Sequence, residues 1–328
     1  MKKNTILITG GTGTFGQEFV KHLLLKKQFK KIIIFSRDEQ KHYFMNLRFK
    51  NNPLLRFFIG DIRDKSRLDI ATRDVDCIVH AAAMKHVPIA EYNPIECIKT
   101  NIYGMENLIN VSLKNKVSKV LCLSTDKAVN PINLYGATKL SADKLTIAAN
   151  NLSGGLKTSF SVVRYGNIIG SNGSIIPYFK ELIEQGLKEL PITDERMTRF
   201  WLTILDGVKF VNFVLENMKG GEIFFPKIPS LKIKDLIRAI KSDAKLKKIG
   251  IRPGEKIHEV LCDKDMSRYT IEFKKFFLIK PTIILKEKKN YYKVNGEKGK
   301  DVKENFVYDS ETNTDFLDIK KIRKLIFS

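Results

Sequence analysis

The sequence predicts an α/β protein: a doubly wound parallel sheet with a smaller lobe interleaved with it. Three observations carry this expectation. Short, continuously apolar, β-branched runs recur along the first half of the 328 residues. Stretches of helical periodicity separate them, and a glycine cluster lies between the first run and the first helical stretch. Strands that are apolar throughout, instead of alternating, belong in a parallel sheet covered on both faces, and the intervening helices supply the covers.

Taken in order, residues 5–9 (TILIT) read as the first strand, followed by the glycines and a helix over 15–25. Residues 31–35 (KIIIF) are a second buried strand, and 38–49 a helix. Residues 55–59 and 76–80 are further strands, and 94–113 reads as one long helix opened by proline. A strand at 119–123, a helix at 135–149 and a strand at 160–164 complete the repeating pattern. Beyond 164 the rhythm loosens, with helical stretches near 205–217 and 233–240 and a Lys- and aromatic-rich tail from about 264. The expected division is a dinucleotide-binding half over 1–165. Residues 166–328 then form mostly a substrate-binding lobe and a C-terminal extension, with some segments returning to the sheet.

With 43% hydrophobic and 29% charged residues the chain has an ordinary globular composition, which excludes disorder as the main state. Lys and Arg (58) exceed Asp and Glu (36), a formal charge of +22 that suits an anionic partner or a small anionic substrate. The charge is diffuse, with no block of five basic residues and no stacking motif, so nucleic acid is not the expected partner. The four cysteines (77, 97, 122, 262) form no C-x-x-C pair, which disfavours a disulfide framework or a zinc site and suits a reducing compartment. The first apolar run is too short for a secretory signal, and no run reaches the ~18 residues of a membrane span, so a cytoplasmic location is expected.

The segment from Thr9 to Gly16 places Gly10, Gly13 and Gly16 between a strand and a helix. Gly10 permits a tight turn, Gly13 lets backbone approach a pyrophosphate, and Gly16 lets the helix lie close to the sheet, with the helix N-terminus facing the anion. The loop residues Thr12, Thr14 and Phe15 join the candidate cofactor contacts. The context is that of a Rossmann-type dinucleotide site. At the end of the second strand NAD enzymes usually place an acid. Here Ser36 and Arg37 can hold a 2′-phosphate, with Lys41 nearby, which favours NADP; Asp38 is the alternative ligand for a bare ribose. Tyr135 and Lys139 form Y-x-x-x-K on one helical face about 120 residues after the loop. A tyrosine is a poor base at neutral pH unless a cation stabilises its phenolate. Thr125, Asp126 and Lys127 lie just upstream, at a strand's carboxyl end, where sites form in such sheets.

The GxxGxxG spacing resembles the extended short-chain dehydrogenase/reductase family. The string STDKAVNPINLYGATK (124–139) resembles the inverting UDP-N-acetylglucosamine 4,6-dehydratases of that family, as do HAAAMKHVPIAEYNPIECIKTN (80–101), FSVVRYGNIIGS (160–171), PITDERMTRFW (191–201) and IGIRPGEKIHEV (249–260). The resemblance implies removal of water across C5 and C6 of the sugar, with inversion at C5 and transient hydride transfer to NADP, opening pseudaminic acid synthesis for flagellin or surface glycans. It implies Asp126 as the acid, Lys127 as the C5 base, Tyr135 as the O4 base, Lys139 on the nicotinamide ribose and Thr125 on the substrate. Lys127 would need to be neutral, and burial with cations such as Lys85 would lower its pKa. Asp61 would contact the adenine (a helix cap is the other role open to it) beside Ile62. Ala81, Ala82 and Lys85 would line the nicotinamide and sugar, and Asn101 would be structural. Asn167, Thr193, Arg199, Arg252 and Glu255 would hold the nucleotide sugar. Asn172 departs from the family, which carries Arg there. No metal is implied, and a homo-oligomer, dimer or hexamer, is. The competing readings are a C5-retaining dehydratase, a UDP-sugar 4-epimerase, which needs no acid–base pair for C6, and a non-enzymatic NADP- or RNA-binding protein.

Overall fold

The computed structural model describes residues 4–169, 175–283, 285 and 289–327. Asn172 lies outside them. The six strands of the first half are β1 (Thr5–Thr9), β2 (Lys31–Ser36), β3 (Leu55–Ile59), β4 (Cys77–His80), β5 (Lys119–Thr125) and β6 (Ser159–Tyr165). They are all parallel and lie in the order β3-β2-β1-β4-β5-β6. The order reverses between β1 and β4, which opens a crevice at the strands' carboxyl ends. Beyond β6 the strand Ile223–Pro226 adds in parallel, and Phe276–Ile279, Thr270–Glu272 and Lys300–Asp301 continue antiparallel. The last third of the chain thus returns to the sheet.

The helices that cover the sheet are α1 (Thr14–Lys26), α2 (Glu39–Arg48), α3 (Lys65–Ala71), α4 (Val87–Tyr92), α5 (Pro94–Ile98), α6 (Gly104–Lys114) and α7 (Leu134–Leu152). Strand residues alternate between faces. Ile6 and Ile8 pack against Phe19 and Leu23 of α1 and against Val208 and Val211 of the helix Ile204–Asn217. Leu7 and Ile33 pack on the other face, against Leu68 of α3, Leu108 of α6 and Ala142 of α7. Each fully buried Ile or Leu contributes about 1.5–3 kcal/mol, so these two layers hold the crevice's floor rigid. Side-chain caps fix where the helices start. Asp38 accepts from Lys41 N at 3.0 Å, Asp64 from Arg67 N at 2.9 Å, and Asn133 from Gly136 N at 2.7 Å.

The single long helix expected over 94–113 is instead α5, a π-helical turn over Lys99–Tyr103, and α6. The cause sits at Asn101, which is buried inside that turn. Its amide donates to Met84 O at 2.9 Å and to Thr138 Oγ1 at 3.0 Å, and its Oδ1 accepts from Met84 N at 2.9 Å. The wide turn aims one side chain at both the loop after β4 and α7, a use typical of π turns near functional sites. The short helices α3 and α4 lie outside the expected set.

The second lobe places Thr198–Leu202 between Ser230–Lys232 and Asn167–Ile168. Its own core gathers Trp201, Leu231, Leu236 and Ile237, and the C-terminal helix Ile319–Phe327 adds Ile322. The tail also pairs Tyr308–Asp309 with Val260–Cys262. All four cysteines are buried free thiols. Among the described residues no helix is long and apolar enough to cross a membrane, and no group of side chains could hold a metal ion.

Candidate active site

The glycine loop leaves β1 at Gly10, whose φ is +65° and whose Cβ, if present, would lie 2.8 Å from Ala82 N. A Cβ on Gly16 would lie 2.4 Å from Gly11 O, so only glycine lets α1 sit on the loop. Gly13 is the N-cap of α1 and provides no side-chain cap, which leaves the first-turn N–H groups facing outward as anion donors. Thr12 N donates to Ser36 Oγ at 3.2 Å and ties the loop to the end of β2. Phe15 stacks on Phe19 at 5.5 Å, and Thr14 opens the helix. Thr9 Oγ1 accepts from Ala81 N and Ala82 N, at 3.2 Å each, and lies 2.7 Å from His80 Nδ1. Burial, aided by Lys139, pushes His80 down to about 3, so it is a neutral structural imidazole.

At the end of β2, Arg37 is exposed and lies 3.6 Å from Asp61, while Asp38 caps α2 and pairs with Lys41 at 3.3 Å. Burial pushes the Asp61 carboxyl up, but hydrogen bonds from Arg63 outweigh it and hold the group below the usual range. The helix cap considered for Asp61 is supplied by Asp64. Ile62 is buried against the position of Gly104.

The second group forms where β5 ends. Thr125 Oγ1 accepts from Lys127 N at 3.3 Å and donates to Asp126 Oδ1 at 2.9 Å, shaping the one-turn helix Asp126–Ala128. A Cβ on Gly136 would lie 2.2 Å from Lys127 O, so glycine lets α7 press directly on that turn. This brings the Tyr135 phenol into hydrogen-bonding contact with Thr125. Burial pushes Tyr135 up to about 12, and Lys127 opposes the rise. Lys139 is buried and donates to Leu123 O at 2.6 Å, with its pKa lowered by burial. The cation acting on the phenol is therefore Lys127, whereas the Y-x-x-x-K spacing had pointed to Lys139.

Asp126 is fully buried, and Lys127 Nζ lies 3.1 Å from its Oδ1 and 3.0 Å from Glu259 Oε1. Burial works against the Lys127 charge, but the two carboxylates outweigh it and hold the ammonium above its ordinary value. This corrects the expectation of a lowered Lys127. Asp126 is pushed up, first by burial and then by Glu259. For Glu259 burial acts upward, but Lys127 and Arg199 outweigh it and hold it down. Sequence reasoning missed Glu259. It stood inside the motif at 249–260, but nothing in its spacing marks a group that reaches Lys127 across 132 positions of chain.

The expected substrate contacts divide. Arg199 is buried and turned inward: it donates to the carbonyls of Thr198, Lys256 and Ile257 at 2.7–2.9 Å and lies 3.8 Å from Glu259 and 3.9 Å from Glu255. An outward clamp is thus not its present geometry. Glu255 accepts from Arg252 N at 3.4 Å, and Arg252 is exposed. Thr193 is buried, its hydroxyl 2.9 Å from Met197 Sδ. Asn167 opens the short strand after β6, with its Oδ1 buried and without a hydrogen-bond partner among the described residues. Lys85 is exposed on the loop leaving β4.

With this geometry in place, comparison with known proteins places the chain. The family described as "Polysaccharide biosynthesis protein" matches residues 6–281. The chain belongs to this family. Within it, the chain is 55% identical over 326 residues to a Campylobacter jejuni protein named UDP-N-acetylglucosamine 4,6-dehydratase (inverting), covering 99% of this chain and 97% of that one. It is also 39% identical over 333 residues to a Rickettsia akari protein named UDP-glucose 4-epimerase, covering 99% and 95%. Among solved structures, Pen from Bacillus thuringiensis superposes with a TM-score of 0.90 at 34% identity, covering 99% and 97%. DesIV, a dTDP-glucose 4,6-dehydratase from Streptomyces venezuelae with NAD and TYD bound, superposes with a TM-score of 0.69 at 26% identity, covering 77% and 86%.

Proposed function

We propose that the protein is an inverting UDP-N-acetylglucosamine 4,6-dehydratase, an NADP-dependent hydro-lyase. The observation that carries this reading is the ion pair of buried Asp126 with half-buried Lys127, beside Thr125 and Tyr135. An epimerase, working only at C4, has no use for a second acid and base. The 55% identity to a protein of that name, over nearly the whole chain, supports the same choice.

The glycine cradle at 10, 13 and 16 fits a dinucleotide, because a Cβ on Gly10 or Gly16 would intrude on the backbone that lines it. Ser36, Arg37 and Lys41 would take a 2′-phosphate, and Lys139 the nicotinamide ribose. When bound there, the nicotinamide would supply reversible hydride acceptance between C4 and C6 of the sugar. Tyr135 takes the O4 proton, steadied by Thr125. The 4-ketone then acidifies the proton on C5. Lys127 passes its proton to Asp126 and, then neutral, removes that C5 proton, while Asp126 protonates the departing 6-hydroxyl and water leaves. Reprotonation of C5 from the opposite face falls to Tyr135 or Lys127. Asn167, Thr193, Arg252 and Glu255 ring the diphosphate and uridine side, with Arg199 behind them.

In this reading residues 1–165 form the cofactor half and 166–328 the sugar-nucleotide lobe, in a cytoplasmic enzyme that opens pseudaminic acid synthesis. Exposed Ile89, Tyr92, Ile95 and Tyr103 between α4 and α6 support a homo-oligomer. The test is proton NMR of the purified protein with UDP-N-acetylglucosamine in deuterated water. A new 6-methyl signal, deuterium at C5 and the couplings of an L-arabino ring are expected. A D-xylo ring would overturn the inversion, and a 4-epimer without a methyl signal would make the protein an epimerase.

A further inference from the structure

Two buried carboxylates meet at one ammonium in this site. Lys127 Nζ is 3.1 Å from Asp126 Oδ1 and 3.0 Å from Glu259 Oε1, and both carboxylates are nearly inaccessible to water. The second oxygen of each, Asp126 Oδ2 and Glu259 Oε2, is buried with no hydrogen-bond partner among the described residues. Two adjacent carboxylates in a dry site do not both stay ionised unless enough positive charge surrounds each. The charge is unequally shared. Asp126 faces Lys127 on its own turn, Tyr135 on α7, Glu259, and Lys256, which it shares with Glu259, so the cation that Glu259 alone has beside it is Arg199. Glu259 faces Lys127, Arg199 Nε from the strand Thr198–Leu202 at 3.8 Å, and Lys256 from its own loop.

We propose that Glu259 is the positioning residue of the acid step: its permanent negative charge, backed by Arg199, anchors Lys127 and keeps the proton of the pair on Asp126. The role is built into the backbone. Glu259 N donates to Ser310 Oγ at 2.9 Å, Ser310 N donates to Glu259 O at 2.8 Å, and Ser310 Oγ lies 2.7 Å from Thr198 Oγ1. The C-terminal extension thereby seats a residue that sequence spacing assigns to no site. The directions found for the two carboxyls, Asp126 up and Glu259 down, agree with this split.

The inference rests on the dehydratase reading for its purpose, but its test does not need turnover. Infrared titration of the folded protein should show a protonated-carboxyl band that Asp126→Asn removes. In Glu259→Gln that band should titrate away at lower pH, because Lys127 then faces Asp126 alone. An unchanged midpoint in Glu259→Gln overturns the proposal, whatever reaction the protein catalyses. In the turnover assay Glu259→Gln should lose kcat about 10²-fold with KM little changed, and Glu259→Asp should recover part of it. Equal loss in KM alone would mark Glu259 as merely structural and overturn the role. Should the Gln variant not fold, wild-type protein labelled with ¹³C at glutamate carboxyls carries the test. One resonance should inflect at the pH where the Asp126 band titrates, and that inflection should vanish in Asp126→Asn, since coupled sites report each other's protons. Absence of the inflection overturns the proposal. A dehydratase assay that fails while the band behaves as stated would count against the function and leave the Glu259–Asp126 coupling standing.

Discussion

The glycine cradle and the charged cluster sit at neighbouring strand ends, yet they are built by opposite means. The cradle is contiguous: eight residues from Thr9 to Gly16 supply it, and its decisive contacts are backbone to backbone. The cluster is assembled from β5, the strand Thr198–Leu202, the loop carrying Lys256, and Ser310 near the chain's end. The cradle works by leaving side chains out, and the cluster by burying charges together. A site of the first kind needs, beyond its own loop, only the adjoining ends of β2 and β4. One of the second kind depends on every distant segment arriving.

The largest effect should come from breaking the cluster alone. Asp126→Asn is expected to lower dehydration by about 10²–10⁴-fold, while cofactor affinity by fluorescence titration stays at the wild-type level. Normal turnover would remove Asp126 from the acid role. Breaking the cradle should do the reverse. Gly16→Ala puts a Cβ 2.4 Å from Gly11 O, so backbone has to move. It should cost roughly 1–3 kcal/mol in urea unfolding and weaken dinucleotide binding, leaving the Asp126 infrared band in place.

The third prediction separates the two carboxyls by sign. Asp126 has its folded pKa raised, so its contribution to stability is present below the unfolded value and is lost as pH rises through the folded one. The stability gap between wild type and Asp126→Asn should therefore narrow, or reverse, as pH rises. Glu259 has its folded pKa lowered, so its contribution is present above the unfolded value and is lost as pH falls through the folded one. The gap to Glu259→Gln should widen with rising pH. Gaps of the same sign slope in urea titrations would mean the two carboxyls are not set apart.

The smallest effect belongs to the cradle's rim. Arg37 is exposed and 3.6 Å from Asp61. Arg37→Ala should weaken NADP roughly 10-fold, leave NAD unchanged and alter stability by less than about 1 kcal/mol. Equal loss for both cofactors would show that Arg37 does not read the 2′-phosphate.

The same contrast explains what was legible in the sequence. Gly10, Gly13 and Gly16 between a strand and a helix, the parallel character of the sheet, and the placement of Asp126 and Lys127 just past β5 with Tyr135 on the next helix all follow from local spacing. The π turn at Lys99–Tyr103 did not, because its cause is a hydrogen-bond partner on α7 that periodicity cannot reveal. Burial and cations such as Lys85 suggest a lowered Lys127, but the chain's spacing does not reveal Glu259, which together with Asp126 outweighs them. Arg199 reads as a nucleotide-sugar contact, and its spacing does not reveal that three backbone carbonyls hold its guanidinium. Residue type and spacing report backbone geometry well. They do not report which buried charges face one another.

Ser310 sets how far along the chain the cluster reaches. The glycine loop lies within the first 16 residues, while the core beneath it draws on Val208 and Val211 far along the chain. Glu259 lies 243 positions beyond Gly16, and the seat that fixes its backbone lies 51 positions further, at Ser310. A chain cut between Glu259 and Ser310 would keep the carboxylate and lose the seat that holds its backbone.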